Sequence, residues 1–207
     1  MDSDASVCLA GLRGGLGRWV VAAALLAGLG IGTIPSAEAA GLRIADLVVA
    51  NSEEDLMVHA VLLGPMPPAM LEGLASGIPA TVRFTVELWQ YSRLWFNRFL
   101  ATKIIERTVS YDVLTKEYRI SSVKGEERPL HITKTLAEAQ RALTTLRNIR
   151  LVPIATLTPD ELYYVRVRGE AQSAQDSAIA RFLPFVPSGR DETAWETSPL
   201  LTVTRGQ

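Results

Sequence analysis

Residues 80–88 alternate without a break: Val82, Phe84, Val86 and Leu88 fall on one face, and Thr81, Arg83, Thr85 and Glu87 on the other. A two-residue period fits an extended strand with one dry side and one wet side, because a helix would scatter the same residues around its circumference. A half-wet strand belongs to an antiparallel sheet, since parallel sheets are covered on both faces. The same period recurs over 105–113, where Ile105, Val109, Tyr111 and Val113 oppose Glu106, Thr108, Ser110 and Asp112. Residues 42–50 and 55–63 are β-rich runs joined by the polar Asn51-Ser52-Glu53-Glu54, which predicts a hairpin. A second hairpin is expected where Leu114-Thr115-Lys116 separates 105–113 from 117–122.

Two stretches break this period. Pro67-Pro68 followed by Met70, Leu71 and Leu74 predicts a short helix near 67–75 with proline in its opening positions. Leu136, Ala139, Leu143 and Leu146 form an apolar stripe at helical spacing, predicting a helix over about 135–148. Thr135 and Glu138 fit a capping box at its start, and Arg147 would sit favourably in its last turn. Residues 171–194 are the least regular part of the chain.

The segment before residue 40 reads differently. Arg13 and Arg18 precede an uncharged run from Trp19 to Gly32, followed by Pro35 and Ser36-Ala37-Glu38-Ala39-Ala40. Basic, apolar and small-residue regions in that order are the signature of a secretory signal peptide, so residues 1–39 are read as a leader cleaved after Ala39. A retained inner-membrane anchor is the alternative, because counting from Leu16 to Ile34 approaches the roughly 20 residues of a spanning helix. Residues 40–207 then form a single β-sandwich domain, exported and periplasmic, or anchored and facing the periplasm. Removing the leader takes two basic and three acidic residues, leaving 19 of each among 168, and it takes Cys8, the lone cysteine of the chain. A neutral domain argues against a nucleic-acid-binding face. A domain without thiols has no disulfide, thiol nucleophile or thiolate metal site.

Leu157, Pro159 and Tyr163, with Tyr163, Val165 and Val167 alternating beyond them, resemble the tyrosine corner of fibronectin type III and related immunoglobulin-like sandwiches. The fold expected is mainly β: an antiparallel immunoglobulin-like β-sandwich with one helical insertion. A broader resemblance spans 42–205. Leu74-Ala75-Ser76-Gly77-Ile78-Pro79 leading to Trp89, then Leu94-Trp95-Phe96, Val109-Ser110-Tyr111-Asp112, Tyr118 and Leu162 to Arg168 resemble a family of exported bacterial proteins known only as a domain of unknown function. The resemblance implies a proteobacterial envelope protein with no assigned activity or site residues. Members of that family are often encoded beside a membrane sensor kinase of the nitrogen-regulation type, so a membrane sensor is the partner it implies.

The residues offer little catalytic chemistry. The histidines, His59 and His131, lack the i, i+4 spacing of a helical metal site, and no serine lies in a G-x-S-x-G elbow. Glu53-Glu54-Asp55 lacks the alternation and fixed glycine of a calcium loop, so it reads as a solvated turn, as do Glu126-Glu127 and Asp191-Glu192. The eight glycines after residue 39 are scattered, with no phosphate loop among them. No cofactor and no catalytic or metal residue is assigned.

The candidate interaction surface is the aromatic run Trp89, Tyr91, Arg93, Trp95 and Phe96, together with Phe182 and Phe185 in the proline-flanked segment 182–187. Exposed aromatics with an interspersed arginine anchor protein partners or stack on sugars. The competing reading is that Trp89, Trp95 and Phe96 cover the sheet or fill the core. Arg141, Arg147 and Arg150 are expected along one helix side and its exit, as a solvated face or a contact for anionic headgroups. The functional expectation is a non-enzymatic envelope protein that binds a protein partner, with membrane contact only through an uncleaved leader. A carbohydrate or peptidoglycan-fragment binder is the alternative, and an envelope hydrolase comes third.

Overall fold

The structure is a computed structural model that describes residues 41–203, apart from residue 65 and residues 174–190. Residues 1–39, expected from the sequence to be a leader, and Phe182 and Phe185 lie outside the described residues. Everything described belongs to one compact unit, 39–207. Among the described residues no helix is long and apolar enough to cross a membrane.

Strands β1 (Arg43–Asn51) and β2 (Asp55–Leu63) form the first expected hairpin, closing at Asn51 opposite Leu56. Helix α1 (Pro68–Ala75) follows, with proline at its first position. Then come β3 (Ala80–Gln90), β4 (Arg98–Asp112), β5 (Glu117–Lys124) and the short β6 (His131–Thr133). Helix α2 (Leu136–Thr144) runs directly into β7 (Thr145–Pro153), and β8 (Leu162–Ser173) is the last long strand. The two-residue strands β9 (Asp191–Glu192), β10 (Glu196–Thr197) and β11 (Leu201–Thr202) all pair with β8.

Two antiparallel sheets result, one ordered β1-β2-β7 and one ordered β10-β8-β3-β4-β5-β6. Assigning β1, β2 and β7 to A, B and E, and β3, β4, β5, β8 and β10 to C, C′, C″, F and G, reproduces the strand order of an immunoglobulin-like sandwich with an extended GFC sheet. The inward residues of both sheets make one core: Leu56, Val58, Ala60 and Leu62 from β2, Leu146 and Ile149 from β7, and Val82, Phe84, Val86, Leu88, Ile105, Tyr163, Val165 and Val167 from the larger sheet. Each fully buried Leu, Ile, Val or Phe contributes about 1.5–3 kcal/mol. Closeness between the sheets is set at Gly169, where an added Cβ would lie 2.9 Å from Leu62 Cδ1 and 3.3 Å from Ile44 Cδ1. The tyrosine corner is formed. Tyr163 is buried, and its hydroxyl accepts from the Thr158 N–H at 2.9 Å and donates to the Thr158 carbonyl at 3.0 Å.

Several local expectations are corrected. The second helix ends at Thr144 rather than near 148, and 145–153 is a strand pairing Leu146 with Ala60 and Ile149 with Val58. Strand β2 would otherwise present an unpaired edge, and the β-branched Thr144-Thr145 favours leaving the helix there. Leu143 and Leu146 are both buried, one from the helix and one from the strand. The capping box does not form. Thr133 takes its place, its hydroxyl accepting from the Thr135 N–H at 3.2 Å and donating to Glu138 at 2.6 Å. Within 171–194, residues 171–173 continue β8, with Ala171 and Ser173 buried.

The inner face of β4 carries a buried charge. Arg107 is 1% exposed and ion-paired through two nitrogens to Glu126, with one nitrogen–oxygen distance of 2.9 Å. Its remaining nitrogen donates to the carbonyls of Ala142 at 2.9 Å and Thr145 at 2.7 Å, so it closes the C-terminal end of α2. Glu126 is therefore a structural partner rather than part of a solvated turn.

Candidate functional site

The β3–β4 connection holds the candidate site. Strand β3 ends at Gln90 and β4 begins at Arg98, so residues 91–97 project from the end of the hairpin. Two polar side chains organise this tip. Asn97 Oδ1 accepts from the Ser92 N–H at 3.1 Å, and Ser92 Oγ accepts from the Trp95 N–H at 3.1 Å. Asn97 also donates to the Tyr164 hydroxyl of β8 at 3.1 Å, and the Tyr91 N–H donates to the Leu162 carbonyl at 2.8 Å. The backbone is thus tied to itself and to the neighbouring strand while the large side chains point away. Leu94, Trp95 and Phe96 are 88%, 81% and 97% exposed.

Beside them is an open cleft of about 490 Å³, lined among others by Tyr91, Arg93, Trp95, Phe96, Asp160 and Glu161. Asp160 and Glu161 reach it because the chain turns there before entering β8, with Asp160 in the left-handed region at φ 64°. Aspartate tolerates that conformation better than most residues. Apolar rings at the centre with both charge signs around them suit a binding surface. Asp160 and Glu161 are both exposed, so neither has the shielded setting that equips a carboxyl as a general acid.

Of the residues expected from the sequence, Tyr91, Arg93, Trp95 and Phe96 come together here. Trp95 and Phe96 neither cover the sheet nor enter the core. Trp89 is the exception. It stays on the outer face of the large sheet, donating through Nε1 to Glu87 at 2.8 Å, edge-on to Phe99 and stacked with Tyr164. The Arg166 guanidinium lies 4.6 Å from the Trp89 ring centre and 4.5 Å from that of Trp195, and Arg168 adds a further contact to Trp195 at 5.0 Å. This ladder of alternating tryptophan and arginine, anchored by the Arg166–Glu87 ion pair at 2.6 Å, occupies the ring that would otherwise have joined the site. Two-residue spacing puts Trp89 beside Glu87, but only the pairing of β8 with β3 and β10 shows that arginines fill the space above it.

Asp160 and Glu161 are not among the site candidates the sequence offers; the available signal is the turn Thr158-Pro159-Asp160-Glu161 at the tyrosine corner. Arg141, Arg147 and Arg150 do not share a helix: Arg141 is on α2, while Arg147 and Arg150 are on β7. His59 is half-buried on β2, and His131 on β6 lies 3.5 Å from Glu138.

No curated protein and no solved structure matches the chain. A family model does match, over residues 39–197, ending with β10, and it shows that the chain belongs to the family described as a domain of unknown function (DUF4390).

Proposed function

We propose that this domain is a non-enzymatic binding module of the cell envelope that docks a protein partner through the β3–β4 tip, with a membrane sensor as the context its family resemblance suggests. The observation that carries this reading is the tip itself: three consecutive large apolar side chains held more than four-fifths exposed by a hydrogen-bonded turn. Leaving such groups in water forgoes the burial energy they could gain, and contiguous exposed apolar surface marks an interaction site. Trp95, flanked by Tyr91 and Arg93, supplies the residue types that dominate binding hot spots. The ordered backbone reduces the entropy lost on docking.

The test places the photoreactive analogue benzoylphenylalanine at position 96 of the full chain in its native cells. A discrete protein adduct is expected, weakened by Trp95→Ala and missing when the probe is moved to position 116. Adducts with lipid alone, or the same adducts from both positions, would overturn the reading. Trp95→Ala should also leave unfolding free energy within about 0.5 kcal/mol of the parent, because an exposed side chain has little packing to lose.

The cleft beside the tip gives a second reading some support. Tyr91 and Trp95 are stackable rings near the carboxylates of Asp160 and Glu161, a pairing suited to a glycan fragment. Titrating tryptophan fluorescence with peptidoglycan fragments checks it, and an unchanged spectrum at millimolar ligand excludes it.

A further inference from the structure

A second concave surface lies away from the tip, where α2 meets β5, β6 and β7. Arg128, Arg141 and Arg147 line a cleft of about 280 Å³ together with His131, Glu138, Ala142 and Thr145. Three arginines therefore line one space that has a single carboxylate residue, Glu138, in its lining. That carboxylate is engaged already, accepting from Thr133 at 2.6 Å and lying 3.5 Å from His131. Among the described residues no carboxylate lies within ion-pair distance of Arg128, Arg141 or Arg147.

A helix C-terminus normally repels anions, and α2 ends at this cleft. Here the repulsion is removed by arginine. Arg107 takes the Ala142 and Thr145 carbonyls, and Arg128 donates to Ala142 at 3.0 Å. The last bond fixes Arg128 at the rim. Burial and the neighbouring charge of Arg107, partly offset by Glu126 and reinforced by Arg147, make its positive charge harder to hold, which an anion in the cleft would relieve. Lysine would supply the charge alone, whereas the planar fork of arginine matches the paired oxygens of a phosphate.

We propose that the cleft lined by Arg128, Arg141 and Arg147 binds a phosphate group, carried either by a soluble phosphate ester or by a phospholipid headgroup. The site is independent of the tip: Arg98, at the start of β4, is nine residues from Arg107, roughly 30 Å along an extended strand.

The experiment uses the full chain and its Arg141→Ala/Arg147→Ala variant, both residues being exposed and free of the core. An Arg43→Ala/Arg119→Ala variant, equal in charge, serves as control. One arm titrates glycerol 3-phosphate calorimetrically at low salt. The other sediments the protein with vesicles of phosphatidylcholine containing phosphatidylglycerol, against phosphatidylcholine alone. Binding in either arm that falls about tenfold in the cleft variant and stays within twofold in the control supports the site. The arm that responds identifies the source of the phosphate. No binding in both arms, or equal loss in the two variants, overturns the proposal. Because both variants keep residues 1–40 intact, any vesicle binding through that segment appears equally in each.

Discussion

Tyr163 shows how much one side chain can fix. Its ring is buried among core residues while its hydroxyl satisfies both polar groups of the Thr158 backbone, holding the chain in the turn that enters β8. Tyr163→Phe keeps the ring and strands those groups, so urea unfolding should report a loss of about 1–3 kcal/mol with an unchanged m value. The corner was readable from Leu157, Pro159 and Tyr163 because it is local, with donor and acceptor five residues apart. Asp112 and Glu138 offer a second test at this scale. The Thr115 and Leu114 N–H groups, with Arg119 beyond them, hold the Asp112 carboxyl below its ordinary range. The Thr133 hydroxyl, then His131 and Arg141, do the same for Glu138. A lowered folded-state pKa gives stability that is present above the unfolded value of about 4 and is lost as pH falls through the folded one. Carboxyl NMR titration should therefore place each midpoint below the ordinary value for its residue type, and Asp112→Asn should make the acid loss of stability shallower. Midpoints at or above the ordinary values would refute this.

Element boundaries depended on neighbours. The stripe Leu136, Ala139, Leu143 and Leu146 continues through residue 146 by helical count, yet the helix stops at Thr144 because β2 needs a partner and residues 145–153 supply it. Periodicity in one segment cannot register a vacancy in another. The same holds for Arg107. A charged residue between Ile105 and Val109 on the apolar face of β4 was a visible irregularity, but its partners lie 19 to 38 residues away in the chain. Arg107→Ala removes the cap of α2 and leaves Glu126, whose side chain is 13% exposed, without its counter-charge. A cost of about 3–5 kcal/mol is expected from chemical denaturation, with part of it recovered when Glu126→Met is added to Arg107→Met. Full recovery of helix content in Arg107→Ala alone would show that the buried pair has no capping role. The capping box failed for a related reason: Thr133 on β6 reaches Glu138 first.

For the whole molecule, the decisive contact is between sheets. Gly169 interrupts the alternating large residues of β8, and its missing side chain lets Leu62 and Ile44 of the smaller sheet close onto the larger one. Gly169→Ala should destabilise by about 1–2 kcal/mol through overpacking against the Leu62 methyl. Combined with Leu62→Ala, the two losses should sum to more than the double variant shows, because the truncated leucine makes room for the new Cβ. Strict additivity would mean that the sheets adjust independently. A glycine with a very different constraint is Gly125, at φ +84°, where a Cβ would lie 2.1 Å from the Ile104 carbonyl oxygen and only backbone could yield.

The sequence by itself determined strands β1 to β5 and β8, the two hairpins, the tyrosine corner, the mainly β class and the family, because each is written in local spacing or in adjacent residues. It also marked the run from Tyr91 to Phe96 as the place to look. Only the tertiary structure decided that Trp89 leaves that run to stack under Arg166, that Asp160 and Glu161 join it, and that Arg128, Arg141 and Arg147 share one cleft from a loop, a helix and a strand. Those outcomes depend on which strands become neighbours. Pairing is settled by burial of the whole core, which no window of the sequence contains.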